Sequence, residues 1–327
     1  MGLSRAERAG WLDHENEISA QHEQHGGQDM TGTSTGTGKL KYGVFGLNSG
    51  VAHPHAAVLA PLAERLGYDS WWAGEHVVLP SPQVPPSPAA PETPILDPMV
   101  ELPYVAALTT TMFLATGIII LPQRNPVVLA KQVASLDVVS GGRFWFGIGV
   151  GYLEPEFRAI GAPFDDRGER TDDYLAAMQA LWTQPAPVSY SGPLVSFSGI
   201  DANPRPLSGP KIVVGGHSAP AYRRAVRSGH QWYGFFRSPE QCRKDLEALA
   251  RAGQQVERPH GLGRLEISVT PPGPLTRDMV SAYAELGVDR IVTMPGAVAP
   301  SAGGAADAVT VISDRLRADA ELIAGVA

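Results

Sequence analysis

Eight short apolar runs, separated by stretches with helical spacing, constrain the fold of this chain more than any other feature. The runs are rich in β-branched and aromatic residues, and the stretches between them carry helix signals such as Ser238–Pro239 and Gly253. Strands that alternate with helices predict a parallel sheet, and eight repeats predict an α/β fold closed as a (β/α)8 TIM barrel. The predicted strands are Lys41–Leu47, Asp69–Gly74, Met112–Leu121, Arg143–Val150, Lys211–Gly215, Gln231–Phe236, Arg264–Thr270 and Arg290–Met294.

Two insertions and an extension interrupt this regular alternation. The proline-rich PSPQVPPSPAAPETPILDP follows strand 2, and a segment from Pro187 to Pro206 that resembles a hairpin precedes strand 5. Ordered loops of this length are usually functional lids. Residues 1–38 lack apolar periodicity, so we expect a disordered N-terminal extension before a single barrel domain at 39–327, with Met30 as an alternative start of translation.

The composition narrows the class of partner. The net charge is −7 without a basic stripe, which disfavours nucleic acid. Cys242 is the only cysteine, so a disulfide within the chain and a cysteine-based zinc site are excluded. The apolar runs fall short of the roughly 18 residues that a membrane helix needs, and no signal segment opens the chain. We therefore expect a cytoplasmic protein that acts on a small molecule, with neither nucleic acid nor membrane as partner.

Glu75 and His76 stand directly after the second predicted strand, in GYDSWWAGEH. In a barrel, groups just past the carboxyl end of a strand face the active-site mouth. A histidine moves protons near neutral pH, and a neighbouring carboxylate can orient it. The pair is therefore a candidate catalytic site, and a loop histidine capped by its neighbour is the alternative.

The fifth predicted strand ends in Gly215–Gly216, and His217–Ser218 then lead into a helix. Glycine lets a ligand approach the backbone closely, and free N–H groups at a helix start suit an anion. Late strand-to-helix turns of barrels often hold phosphate. The stretch is a candidate phosphate turn, and an ordinary glycine-rich turn with a serine cap is the alternative.

Three further features are weaker signals. Gly117 interrupts the third predicted strand, which indicates a bulge or a close ligand approach. Arg124, just beyond it, is expected to be a surface charge. The motif His53–Pro54–His55 lacks a third ligand at suitable spacing, so no metal site is predicted.

Taken in this order, the stretches resemble the luciferase-like monooxygenase superfamily, and more closely its actinobacterial branch of oxidoreductases that use the deazaflavin coenzyme F420. The resemblance covers Lys41 to Leu249 closely and the remainder loosely. The segments that carry it are GYDSWWAGEH, ILDP, LATGIIILPQRNPVVLAKQVASLDVVSGGRFWFGIGVGY, FDDRGERTDDYLAAMQALW and PKIVVGGHSAPAYRRAVRSG.

This resemblance implies a luciferase-like barrel that binds coenzyme F420 at the carboxyl ends of its strands. It implies that His76 takes part in proton transfer and that Glu75 is an acid near the deazaflavin ring. It also implies a non-prolyl cis peptide at Gly117–Ile118 behind the ring, with the phosphate at the later turn. The implied cofactor-binding residues are Gly117, Ile118, Gly215, Gly216, His217 and Ser218.

The implied reaction is hydride transfer between coenzyme F420 and a small, partly hydrophobic substrate with an activated C=C, C=N or carbonyl/alcohol group. A two-component monooxygenase that uses FMN on the same barrel is the alternative, and a non-catalytic cofactor-binding barrel is a further one. Family members are often dimers, so a homodimer is an additional expectation.

Two positions depart from the pattern of the family. Tyr152 stands where the sugar-phosphate dehydrogenases of the superfamily carry a glutamate, so their chemistry is not carried over. His230–Gln231–Trp232 replaces the Asp-Gly-Trp of closer relatives, which makes His230 a candidate substrate-side group.

Overall fold

A computed structural model of the protein describes residues 39–207, 209–297 and 305–326. The predicted disordered extension, residues 1–38, lies outside the described residues. The eight barrel strands pair in parallel, and the ring closes where the third strand pairs with the strand at Phe144–Gly149. The predicted (β/α)8 barrel is confirmed. The strands are β1 Lys41–Phe45, β2 Ser70–Ala73, β3 Phe113–Thr116, β4 Ile119–Ile120, β5 Phe144–Gly149, β6 Val188–Ser191, β7 Ser196–Ile200, β8 Lys211–Gly215, β9 Gln231–Gly234, β10 Glu266–Val269 and β11 Arg290–Thr293.

Helices lie between the barrel strands, as the alternation predicts. Their apolar residues pack on the outside of the barrel in one continuous core, which burial of hydrophobic surface stabilises. The helices are α1 Ala56–Arg65, α2 Pro98–Leu108, α3 Pro126–Val139, α4 Glu154–Ile160, α5 Arg167–Thr183, α6 Ala219–Ser228, α7 Pro239–Gly253, α8 Arg277–Glu285 and α9 Ala305–Ala324.

The third predicted strand is interrupted at Gly117, as the sequence indicates, and the cis peptide that the resemblance implies is present there. It divides into β3 and the two-residue β4, and the peptide bond Gly117–Ile118 between them is cis. Both pieces pair with β5. A Cβ atom at Gly147 of β5 would lie 1.8 Å from the Thr116 carbonyl oxygen, so the two strands meet there only because residue 147 is glycine.

The N-terminal end of the barrel is closed by a buried charged cluster. Arg290 is 1% exposed, and its Nε donates to Asp69 Oδ1 at 2.9 Å. Its guanidinium also lies 4.5 Å from the centre of the Trp145 ring. Above this cluster the interior is filled by aromatic side chains, among them Phe45 and Trp72. Glu75 and His76 follow β2 and therefore lie at the opposite, C-terminal end of the barrel.

Buried polar side chains help to fix both insertions to the barrel. Asn48, which is 1% exposed, donates to the Gly74 carbonyl at 2.8 Å and to the Leu96 carbonyl at 2.9 Å, so it ties the end of the proline-rich insertion to strand β2. The predicted hairpin is confirmed as β6–β7. The Asp173 carboxylate of α5 accepts from the Leu194 and Val195 N–H groups at its tip.

Candidate active site

His76 lies between two polar side chains at the C-terminal end of the barrel. Its Nδ1 atom is 3.2 Å from Glu156 Oε2, and its Nε2 atom is 3.3 Å from the Tyr152 hydroxyl. The His76 side chain is only 13% exposed. Both partners follow β5, which is the fourth strand of the barrel, whereas His76 follows β2. The C-terminal ends of these two strands are therefore in contact. The imidazole is therefore held by both of its nitrogen atoms.

Glu156 is a site residue that the sequence analysis missed. It is 1% exposed and lies in the short helix α4, which follows β5. Its Oε1 atom accepts from the Val77 N–H at 2.6 Å, and its Oε2 atom faces His76. The carboxylate thus fixes both the histidine and the backbone that follows it. Its only sequence signal is an acidic residue just after a predicted strand, in GYLEPEF.

Tyr152 is the half-exposed member of this group, with 49% of its surface accessible. Its ring meets the His76 imidazole edge to face, with centroids 5.8 Å apart. Burial and the Glu156 carboxylate raise the pKa of the Tyr152 hydroxyl, so the phenol keeps its proton at neutral pH. The position that departs from the sugar-phosphate dehydrogenases is therefore occupied by a neutral phenol that contacts the candidate catalytic histidine.

Glu75 points away from His76, and it does not supply the carboxylate that orients the histidine. Its oxygens accept from the Ile120 N–H at 2.6 Å and from Arg124 Nε at 2.7 Å. Arg124 also donates to Asp97 Oδ2 at 2.6 Å, at the end of the proline-rich insertion. The expectation that Arg124 is a surface charge is wrong, because its side chain is 16% exposed and bridges two carboxylates.

The charge states of this pair follow from its contacts. Burial raises the pKa of Glu75, while the Arg124 guanidinium and the Ile120 N–H oppose that rise. Burial acts to lower the pKa of Arg124, but Glu75 and Asp97 outweigh it and raise the pKa above its ordinary value. The three contacts made to Glu75 all come from donors, which suits an ionised carboxylate. We conclude that Glu75 and Arg124 form an ion pair, and a catalytic role for Glu75 stays a prediction.

The bulge and the glycine-rich turn lie against each other. A Cβ atom at Gly215 would lie 3.1 Å from Ile118 Cγ2, and one at Gly149 would lie 2.6 Å from Ile118 Cδ1. A Cβ atom at Gly117 would lie 2.9 Å from the Phe45 ring. The structure therefore brings together the two stretches for which the resemblance implies cofactor binding.

The candidate phosphate turn has the geometry of a helix N-terminus. Ser218 is the N-cap of α6, and its hydroxyl accepts from the Ala221 N–H at 3.4 Å. Gly216 has a backbone φ of +118°, which residues other than glycine rarely adopt. The indole N–H of Trp232 donates to the Gly216 carbonyl at 3.0 Å and fixes the turn from strand β9. His217 and Ser218 are exposed, so a ligand can reach the turn.

Other candidates from the sequence lie elsewhere. The expectation that His230 is a substrate-side group is wrong, because it precedes β9 and its Nδ1 accepts from the Ile212 N–H at 3.0 Å, at the N-terminal end of the barrel. The Nδ1 atom of His53 pairs with the Gly50 carbonyl at 2.7 Å. Among the described residues, no group of three or more His, Cys, Asp and Glu side chains is arranged to hold a metal ion.

Comparison with known proteins identifies the family. The sequence profile of the luciferase-like monooxygenases matches residues 36–318, and the chain belongs to this family. Family members are oxidoreductases and monooxygenases. An uncharacterized protein of Mycobacterium tuberculosis is 30% identical over 246 residues, which cover 72% of this chain and 85% of that protein.

Solved structures share the fold at low identity. An F420-dependent secondary alcohol dehydrogenase in complex with an F420–acetone adduct has a TM-score of 0.71 and 14% identity, and the match covers 89% of this chain and all of that one. The oxygenating constituent of 3,6-diketocamphane monooxygenase from Pseudomonas putida, in complex with FMN, has a TM-score of 0.56 and 17% identity. That match covers 71% of this chain and 67% of the monooxygenase.

Within the part of the chain that the structure describes, no helix has both the length and the apolar character to cross a membrane.

Arg124→Gln should destabilise the protein strongly, because it leaves the buried Glu75 carboxylate without its cation. We expect the free energy of unfolding to fall by about 3–5 kcal/mol, as for other broken buried pairs. The measurement is urea denaturation. The control is Arg251→Gln, whose arginine is 63% exposed and 3.8 Å from Glu247, and it should cost less than about 1 kcal/mol. Equal small losses in both variants would contradict the ion pair.

Proposed function

We propose that this protein transfers a hydride between the deazaflavin coenzyme F420 and a small organic substrate at the C-terminal mouth of its barrel. The observation that carries the proposal is the placement of His76, held by both ring nitrogens at the end of β2. A titratable group fixed at the mouth of a barrel is the usual position for a catalytic acid or base.

The residues present fit a ligand with a planar ring and a phosphate. The turn at Gly216–Ser218 offers an exposed helix N-terminus, where partly positive N–H groups favour an anion. The φ of Gly216 favours glycine, so no side chain of that residue covers the backbone of the turn. Ile118 and the bulge stand next to this turn, so a ring bound beside the bulge could carry its phosphate to α6.

When bound, coenzyme F420 supplies or accepts a hydride as a two-electron carrier. The protein's own residues would orient the substrate and move the accompanying proton. The His76 imidazole would be the group that gives or takes the proton, and Glu156 holds its ring in one orientation. Substrates that suit this chemistry have an activated C=C, a C=N or a carbonyl/alcohol group.

A second candidate is an FMN-dependent monooxygenase fed by a separate reductase. The shared fold of the FMN-bound monooxygenase constituent favours this alternative. Both cofactors carry a phosphate, so the turn at α6 serves either of them. Measurement of cofactor preference therefore decides between the two functions.

Titration of the purified protein with oxidised coenzyme F420 and, separately, with FMN tests the proposal. Cofactor fluorescence reports binding. We expect micromolar binding of coenzyme F420 and far weaker binding of FMN. This result would justify a screen of enones, imines and alcohols for turnover. Preference for FMN would favour the FMN-dependent monooxygenase. Binding of neither cofactor would overturn both candidate functions.

His76→Ala should retain cofactor affinity and lose turnover, because it removes the proton-transferring group and leaves the phosphate turn intact. We expect kcat to fall by about 10²–10⁴-fold, the usual contribution of general acid–base catalysis. The control is His260→Ala, whose histidine is exposed beyond α7 and precedes β10. Full activity in His76→Ala would contradict the catalytic role of His76, whereas equal loss of binding and turnover would make His76 a structural residue.

Gly216→Val should weaken cofactor binding, since it places a branched side chain at the backbone of the phosphate turn. The new Cβ atom would also lie 3.0 Å from that of Ala221. The control for backbone strain is Gly287→Val, at a glycine with φ of +76° that precedes β11 at the closed end of the barrel. Loss of affinity for coenzyme F420 by about tenfold or more in Gly216→Val alone would support the assignment. Equal affinities in the two variants would contradict it.

A further inference from the structure

The two oxygens of the Glu156 carboxylate accept from different donors. Oε1 accepts from the Val77 N–H at 2.6 Å, and Oε2 lies 3.2 Å from His76 Nδ1. A carboxylate can only accept a hydrogen bond, so the His76 nitrogen that faces it carries a proton. In the neutral ring this leaves Nε2 as the acceptor, and the Tyr152 hydroxyl 3.3 Å away is its donor.

Solvent exposure increases along the hydrogen-bonded series from Glu156 through His76 to Tyr152. Glu156 is 1% exposed, the His76 side chain is 13% exposed, and Tyr152 is 49% exposed. Tyr152 covers the Nε2 side of the imidazole, so a molecule in the barrel mouth meets the phenol first. A hydroxyl is both donor and acceptor, which lets it give one proton and receive another.

We propose that Glu156 is a positioning residue that holds His76 in the Nδ1–H tautomer, and that the Tyr152 hydroxyl carries protons between His76 Nε2 and the substrate. This inference rests on the proposed function for the identity of the reaction, but the tautomer is a property of the protein alone. It gives Tyr152 direct contact with the substrate and places His76 one step behind it.

For reduction of a carbonyl, bound coenzyme F420 would supply the hydride to the carbonyl carbon, and the Tyr152 hydroxyl would give its proton to the carbonyl oxygen. The Tyr152 oxygen regains a proton from Nε2–H of the His76 imidazolium. His76 is then neutral, with Nδ1–H still donated to Glu156, and solvent later restores its second proton. Oxidation of an alcohol runs through the same steps in reverse, and charge and atoms balance in both directions.

The tautomer of His76 can be measured without cofactor or substrate. Long-range ¹H–¹⁵N NMR spectra of the full chain with ¹⁵N-labelled histidine distinguish protonated from unprotonated ring nitrogens. The chain has nine histidines, so a His76→Gln variant assigns the signal. We expect Nδ1 to be protonated and Nε2 unprotonated in the neutral ring. An Nε2–H tautomer in the unmodified protein would overturn the inference.

Glu156→Gln should reverse the tautomer of His76, because the Val77 N–H fixes the orientation of the glutamine side-chain amide. The Val77 N–H can only donate, so it donates to the side-chain oxygen of the new glutamine. The NH₂ group of that glutamine then faces His76 Nδ1. Nδ1 becomes an acceptor, and the proton moves to Nε2. The matched control is Tyr152→Phe, which removes the other partner and should leave the Nδ1–H tautomer in place. The same tautomer in Glu156→Gln as in the unmodified protein would overturn the positioning role.

Kinetics test the second part of the inference. Tyr152→Phe should lower kcat by about 10²–10⁴-fold with an unchanged affinity for coenzyme F420, while Glu156→Gln should lower kcat through the reversed tautomer. Unchanged kcat in Tyr152→Phe would overturn the role of the phenol. If the protein turns over no substrate with a deazaflavin, the proposed function fails, and the NMR result still decides whether Glu156 sets the state of His76.

Discussion

The buried ion pair of Glu75 and Arg124 is the interaction on which the arrangement of the barrel mouth depends. It joins the end of β2 to the bulge through the Ile120 N–H, and it reaches the end of the proline-rich insertion through Asp97. An unpaired carboxylate in this position would be costly, so the three elements are stable only together. The bulge, the insertion and the candidate catalytic strand therefore form one unit.

Two buried carboxylates divide the tasks that one was expected to perform. Glu75 is adjacent to His76 in sequence, but consecutive residues beyond a strand end point in different directions, and it faces β4 and Arg124. Glu156 is 80 positions away from His76 and provides the carboxylate that contacts the imidazole. The first carboxylate is paired with a guanidinium, whereas the second contacts the imidazole and the Val77 N–H.

The sequence was sufficient for the eight strands and the two insertions, because periodicity and glycine or proline punctuation are local properties. It was insufficient where a tertiary contact decides the outcome. The burial of Arg124 depends on a carboxylate from the insertion, and the contact of His76 with Glu156 joins residues 80 positions apart. His230 is different, since its position before a strand already indicates the closed end of the barrel.

The proline-rich insertion is anchored near its C-terminal end, by backbone pairing with Asn48 and by the contact of Asp97 with Arg124. Residues 81–93 lie between strand β2 and these anchors and carry none of the groups assigned to chemistry. Mutations in this segment can therefore accumulate without moving His76 or the ion pair. The sequence of this segment can therefore diverge between related proteins while the geometry at the end of β2 is preserved.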